Sequence, residues 1–161
     1  MLADLQATDP IASGLYSGGP GRLPVQLSIM GGTPVSTTLL GAQAKLTATA
    51  SGITQGIIGG GIPATDIETM VYPAMQQSCA QVIQADCTQL ANPPTCGCAA
   101  NWTGQTVISL FDTNHDCAVS VMEIENNSLI QALFQPDVTI DGQMALSVGF
   151  AVTAVGATFT P

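Results

Sequence analysis

Apolar residues recur at every second position near both ends of the chain and at helical spacing between them. Leu23, Val25, Leu27 and Ile29 alternate with Pro24, Gln26 and Ser28, and "GGTP" at Gly31 to Pro34 then supplies turn residues. Leu40, Ala42, Ala44, Leu46, Ala48 and Ala50 share one face of the next run, with Thr37, Gln43, Lys45, Thr47 and Thr49 on the other. This pattern predicts a long antiparallel hairpin with one buried face. Met144, Leu146, Val148, Phe150 and Val152 alternate again with Ala145, Ser147, Gly149, Ala151 and Thr153, before the phase slips to Val155, Ala157 and Phe159. One strand with a bulge near Thr153, or two strands, gives that slip.

The period changes in "ATDIETMVYPAMQQSCAQVI", where Ile67, Met70, Val71, Ala74, Met75, Cys79 and Val82 fall on one helical face. Thr65 and Glu68 have the spacing of a capping box, and Pro73 is expected to kink or split the helix. Helices are also predicted over Gln105 to Phe111 and Met122 to Phe134. Between them, "DCTQLANPPTCGCAAN" at Asp86 to Asn101 has paired prolines, close cysteines and no period, and reads as an irregular, cross-linked loop. The fold class expected is α+β: an antiparallel sheet of N- and C-terminal strands packed against several helices.

With 161 residues the chain is long enough for one domain with a real core, expected over 22–161. Residues 1–21, rich in Gly, Pro and Ser, read as an extended arm. Charged residues make up only 8% of the chain, so much of its surface has to come from Thr, Ser, Gln, Asn, Gly and Ala. Arg22 and Lys45 stand against eleven acids, for a net charge of -9, so no basic patch can neutralise phosphates, and nucleic acid and anionic membrane surfaces are poor partner candidates. Apolar runs such as "ITQGIIGGGIP" are broken by Gly, Thr and Pro and fall short of the ~20 residues of a membrane helix.

No charged n-region with an apolar h-region follows Met1, so either the protein is cytosolic or a leader has been trimmed from the chain. Cysteine usage favours an oxidising compartment and an extracellular or cell-surface location. Cys79, Cys87, Cys96 and Cys98 cluster within twenty residues, Cys117 follows, and lysine is nearly absent. Five is odd, so at least one thiol stays outside any pair of bridges within the chain, and sequence does not choose the pairing.

The stretch "DTNHDCAVSVME" carries the chemistry. Counted from Asp112, the ligand positions of a calcium loop (1, 3, 5, 7, 9 and 12) hold Asp112, Asn114, Asp116, Ala118 through its carbonyl, Ser120 and Glu123. Calcium takes six to eight oxygens, and this spacing folds a short loop so that they converge, with Glu123 closing it as a bidentate ligand. Val119 is placed to anchor the loop in the core. At these residues the segment resembles an EF-hand, and "ISLFDTNHD" is similar to the first-loop region of calmodulin-like proteins. A dockerin loop is the neighbouring resemblance, although dockerins carry duplicated halves and only one is found here. The resemblance implies Ca2+ held by those six residues within a helix-loop-helix. More loosely, "GGGIPATDI", "LIQALFQPDV" and "ALSVGFAVTAVGATF" make the whole chain similar to secreted or lipid-anchored surface proteins of myxobacteria, which speaks to location rather than activity.

Cys117 departs from the pattern, standing at position 6 where glycine normally makes the turn at positive φ. A side chain there costs roughly 1 kcal/mol. A disulfide to Cys96 or Cys98 would offset that by constraining the unfolded chain by roughly 3 kcal/mol. Alternatively the loop has lost calcium and the bridge alone holds its shape. Crowding of Asp112, Asp116, Glu123 and Glu125 with no base nearby favours bound cation. Its expected affinity is that of extracellular modules, micromolar to millimolar.

Other features carry less. His115 is expected to be an exposed loop residue and Trp102 a core residue. Cys79, Cys87, Cys96 and Cys98 lack the paired knuckles of a zinc site. "GIIGGGIP" lacks the Lys-Ser/Thr of a phosphate loop, so its glycines are expected to serve a turn or close packing. "NWT" and "NNS" match the glycosylation sequon, which matters only in a host that glycosylates. No nucleophile–base pair supports an enzyme. The function expected is a non-enzymatic secreted or surface protein with a structural calcium loop. The alternative is a subunit of an extracellular assembly or adhesin, through self-association or a cell-surface partner.

Overall fold

A computed structural model describes residues 14–29, 32–49, 52–89 and 92–155. The expectations for positions 1–13, 31, 50, 157 and 159 lie outside these residues. The described chain forms β1 (Leu15–Leu27), β2 (Val35–Thr49), β3 (Gly52–Pro63), α1 (Ala64–Asp66), a π-helical turn (Ile67–Val71), α2 (Tyr72–Asp86), α3 (Thr103–Phe111), α4 (Val121–Asn126), α5 (Ser128–Phe134), β4 (Val138–Ile140) and β5 (Gln143–Val155). The described residues divide into two compact units: a sheet unit (14–25, 36–49, 52–64 and 136–155) and a helical unit (26–29, 32–35, 65–89 and 92–135).

The sheet unit corrects the expected fold class. The fold is mixed α+β but dominated by one five-stranded antiparallel sheet in the order β1-β2-β3-β5-β4. Its central strand is β3, the glycine-rich stretch that had been expected to make a turn or close packing. The strand signal is weak there because glycine adds no side chain to the alternation. Tertiary contact supplies what the pattern lacks. A Cβ at Gly56 would come 2.5 Å from Leu46 Cδ2 and 2.6 Å from Val152 Cγ2, and one at Gly61 would come 2.8 Å from both Ala145 Cβ and Ile140 Cδ1. Side chains from β2, β4 and β5 thus close over β3 where its own are missing. β1 begins at Leu15, so residues 15–21, read as part of the arm, belong to the sheet.

Within this unit Leu39, Leu40, Ala42, Ala44, Ile62 and Ala145 are buried. The two C-terminal strands run antiparallel through Val138↔Ala145 to Ile140↔Gln143. Asp137 seals the end of that pairing: its N–H donates to the Ala145 carbonyl, 3.0 Å, and its Oδ1 accepts from the Ser147 N–H, 2.6 Å.

In the helical unit the long helix starts earlier than expected. Thr65 lies inside α1, so the Thr65–Glu68 capping box does not form; Thr69 Oγ1 instead donates to the Thr65 carbonyl, 2.7 Å. The split expected at Pro73 takes the form of the π turn, an extra residue that accommodates the missing proline N–H. It also shifts the phase of the buried face. Ile67, Val71, Met75 and Cys79 are buried as expected, Met70 turns outward, and Tyr72 and Ile83 turn in. The helix expected over Met122 to Phe134 breaks at Asn127, whose extended backbone (ψ 125°) ends α4 while its Oδ1 caps α5 at the N–H groups of Leu129 and Ile130.

Candidate functional site

The loop from Asp112 to Glu123 joins α3 to α4 and is built from side-chain-to-backbone turns in series. Asp112 is buried; its Oδ1 accepts from the Asp116 N–H at 3.1 Å and its Oδ2 from the Cys117 N–H at 2.9 Å. Asn114 Oδ1 accepts from that same Asp116 N–H, 3.0 Å, and Asp116 Oδ1 accepts from the Ala118 N–H, 2.9 Å. Asn114 Nδ2 donates to Asp116 Oδ2, 3.0 Å. Short acidic and amide side chains bond their own backbone a few residues on, which is why Asp and Asn at every second position curl a chain into a tight loop.

Two residues take left-handed backbone to complete the curl: His115 (φ 60°) and Cys117 (φ 66°). Cys117 therefore occupies the glycine conformation, and its sulfur is bonded to Cys96, with the two Cα atoms 5.3 Å apart. Cys87 pairs with Cys98, which leaves Cys79 a free, buried thiol. Burial holds that thiol's pKa above its usual value. The bridges draw "TCGCA" against the end of α2, where the Thr88 N–H bonds the Gly97 carbonyl and the Gln89 N–H bonds the Cys96 carbonyl, both at 3.1 Å.

Ser120 and Glu123 start α4 with a reciprocal capping box: Ser120 Oγ accepts from the Glu123 N–H at 3.2 Å and Glu123 Oε2 accepts from the Ser120 N–H at 2.9 Å. Glu123 Oε1 reaches across the loop to accept from the Thr113 N–H (2.8 Å), Thr113 Oγ1 (3.0 Å) and the Asn114 N–H (3.3 Å). Partial burial works to raise the Glu123 pKa, but the bonds from Ser120 and Thr113 outweigh it and hold the carboxyl below its ordinary range. Val119 is buried, and its carbonyl accepts from Gln76 Nε2 of α2 at 3.1 Å. Asn127 Nδ2 donates to the Leu110 carbonyl, 2.9 Å, tying the start of α5 to the end of α3.

The donor set fits a hard, oxygen-seeking cation in one half and departs from it in the other. A carboxylate offers about four lone-pair sites, so Asp112 and Asp116, each accepting two bonds, keep room for an ion. Glu123 accepts five bonds, counting that from Ser120 Oγ, and is saturated by its own loop. Consistent with that division, no three acidic, Cys or His side chains among the described residues are gathered as a metal cluster.

Thr113 supplies two of the bonds to Glu123, a role that the sequence does not mark because a hydroxyl residue beside an aspartate is common. Trp102, expected in the core, is 55% exposed at the N-cap of α3. His115 is exposed, as expected.

Among the described residues no helix is long and apolar enough to cross a membrane, and the two disulfides fit an oxidising compartment. Comparison with protein-family models, with characterised proteins and with solved structures found no match to the chain.

Proposed function

We propose that the chain is a non-enzymatic secreted or cell-surface protein whose Asp112–Glu123 loop binds structural calcium. The observation that supports this reading is the backbone of the loop: Cys117, in the glycine position of a calcium loop, adopts the positive φ that glycine would. The ligands are Asp112, Asn114, Asp116, the Ala118 carbonyl, Ser120 and Glu123, and the ion would neutralise a carboxylate cluster that no base approaches in sequence. Glu123 has to release bonds from Thr113, Asn114 or Ser120 before it coordinates, which together with the bridge at Cys117 favours modest affinity and a structural role over signalling.

The test is thermal unfolding in chelator and in calcium. Chelator lowers the melting temperature and calcium restores it. A melting temperature indifferent to both, with disulfides intact and again with them reduced, sinks the calcium reading.

A second reading, a subunit of an extracellular assembly, is favoured by one observation in the sheet unit: among the described residues, no strand pairs with the outer side of β5 beyond Ala145.

A further inference from the structure

β5 pairs with β3 from Ala145 to Val155, but β4 covers only Gln143, Met144 and Ala145 on its other side. Two bonds orient the remainder of that side. The Ala145 carbonyl accepts from the Asp137 N–H and the Ser147 N–H donates to Asp137 Oδ1, so Ala145 and Ser147 aim their backbone groups away from β3. A strand repeats every two residues, which gives Gly149, Ala151 and Thr153 the same outward aim. The β3–β5 register runs unbroken from Pro63↔Ala145 to Gly56↔Val152 and resumes at Ile53↔Ala154; the extra residue of that irregularity falls on β3, so the alternation of β5 itself continues through Thr153. Gly149, Ala151 and Thr153 are exposed, and among the described residues no strand pairs with their outer side.

The two edges of the sheet differ. β1, at the far edge, carries Pro20 and Pro24, which have no N–H, and an exposed Arg22, devices that blunt an edge. β5, "QMALSVGFAVTAV", has no proline and no charge. A β5-to-β1 contact would propagate as an open filament, and the blunted strand opposes it; a β5-to-β5 contact closes on itself. Uncharged β5 also brings no like charges face to face, although each chain carries a net charge of -9.

We infer that β5 pairs antiparallel with β5 of a second copy of this chain, about a two-fold axis at Ala151, joining the two sheets into one. Gly149 then lies opposite Thr153 of the partner copy, exchanging backbone hydrogen bonds, and half-buried Phe150 lies beside half-buried Val152 across the junction. This inference rests on the assembly reading and names its contact. Edge pairing alone buries little surface, so dissociation in the micromolar range or weaker is expected. Salt screens the repulsion between the acidic copies over about 8 Å at physiological ionic strength, so association tightens as salt rises.

Sedimentation of the full chain over a wide concentration range, at low and moderate salt, is expected to show a monomer–dimer equilibrium favoured by salt. Ala151→Pro removes one outward N–H and leaves the β3 ladder intact, so it is expected to weaken dimerisation about tenfold or more. Residue-resolved amide exchange on the unmodified chain provides the second readout, independent of whether the proline variant folds. The N–H groups of Gly149, Ala151 and Thr153 exchange fast when dilute and slow as concentration rises, whereas Val148, Phe150 and Val152 are protected throughout. A monomer at every concentration and salt overturns both this pairing and self-assembly. Association that leaves Gly149, Ala151 and Thr153 unprotected overturns the β5 pairing and leaves assembly through another surface standing.

Discussion

The sulfur of Cys117 is bonded to that of Cys96, twenty-one positions earlier, and Cys117 is held at φ 66° in the turn of an acidic loop. A strained residue is thus fixed by a covalent tie to the neighbouring irregular segment, and both cysteines are buried. The two contributions are separable because they act on different states: the strain on the folded chain, the bridge mainly on the unfolded one.

Replacing both cysteines as Cys96→Ser with Cys117→Ser removes the bridge and keeps the strain, at a cost of about 3 kcal/mol. The pair Cys96→Ser with Cys117→Gly also removes the bridge but relieves the strain, and is expected to be more stable than the first by about 1 kcal/mol. Denaturant unfolding of the two variants measures the difference; equal stabilities would show that φ at Cys117 costs nothing.

Ser120→Ala takes away the cap at the start of α4 and one side of the capping box with Glu123. The expected loss is about 1 kcal/mol in chelator, where no cation competes for the same oxygens. The measurement is the shift in denaturation midpoint, and an unchanged midpoint would mean that the bonds from Thr113 hold Glu123 without Ser120.

In the sheet, Gly56→Ala drives a methyl into Leu46 and Val152 on either side, and overpacking of this kind costs about 1–3 kcal/mol. Gly149→Ala meets nothing within 4 Å and is expected to stay within about 0.5 kcal/mol of the parent protein. Melting temperatures of the two variants test the contrast between a glycine that neighbours close over and one that faces open space.

Asp137 makes a pH prediction. The Ser147 Oγ and N–H both bond its carboxylate and hold its pKa below the ordinary carboxylate value. Because the folded pKa is the lower one, the stabilisation is fully present above the unfolded value of about 3.9 and disappears as pH falls through the folded value. Asp137→Asn should remove this part of the acid slope and leave the slope above about pH 5 unchanged. Stability curves of both proteins from neutral to acid pH supply the check.

The loop was legible from residues alone because its bonds are local. Asp112, Asn114, Asp116, Ser120 and Glu123 make bonds that span at most ten positions, and the alternation of oxygen-bearing side chains is itself the turn signal. What Glu123 does with its carboxylate was not legible, since Thr113, Asn114 and a cation compete for the same oxygens. Sequence does not choose between Cys96 and Cys98 as the partner of Cys117, because the two cysteines are near neighbours in the chain; the pairing with Cys96 is decided in three dimensions.

Strands β2 and β5 announced themselves through period-two alternation, which is a property of one strand and needs no partner. β3 did not, because its glycines carry no pattern; only the side chains of Leu46, Val152, Ala145 and Ile140, arriving from other strands, make its backbone the centre of the sheet. The phase of the buried helical face was likewise decided late, when the π turn before Pro73 exchanged Met70 for Tyr72. Local bonding and local period were therefore set by the sequence of this protein itself. Strand order, the partner of Cys117 and the outward aim of Gly149 and Ala151 were decided by tertiary structure, because each depends on atoms that lie far apart along the chain.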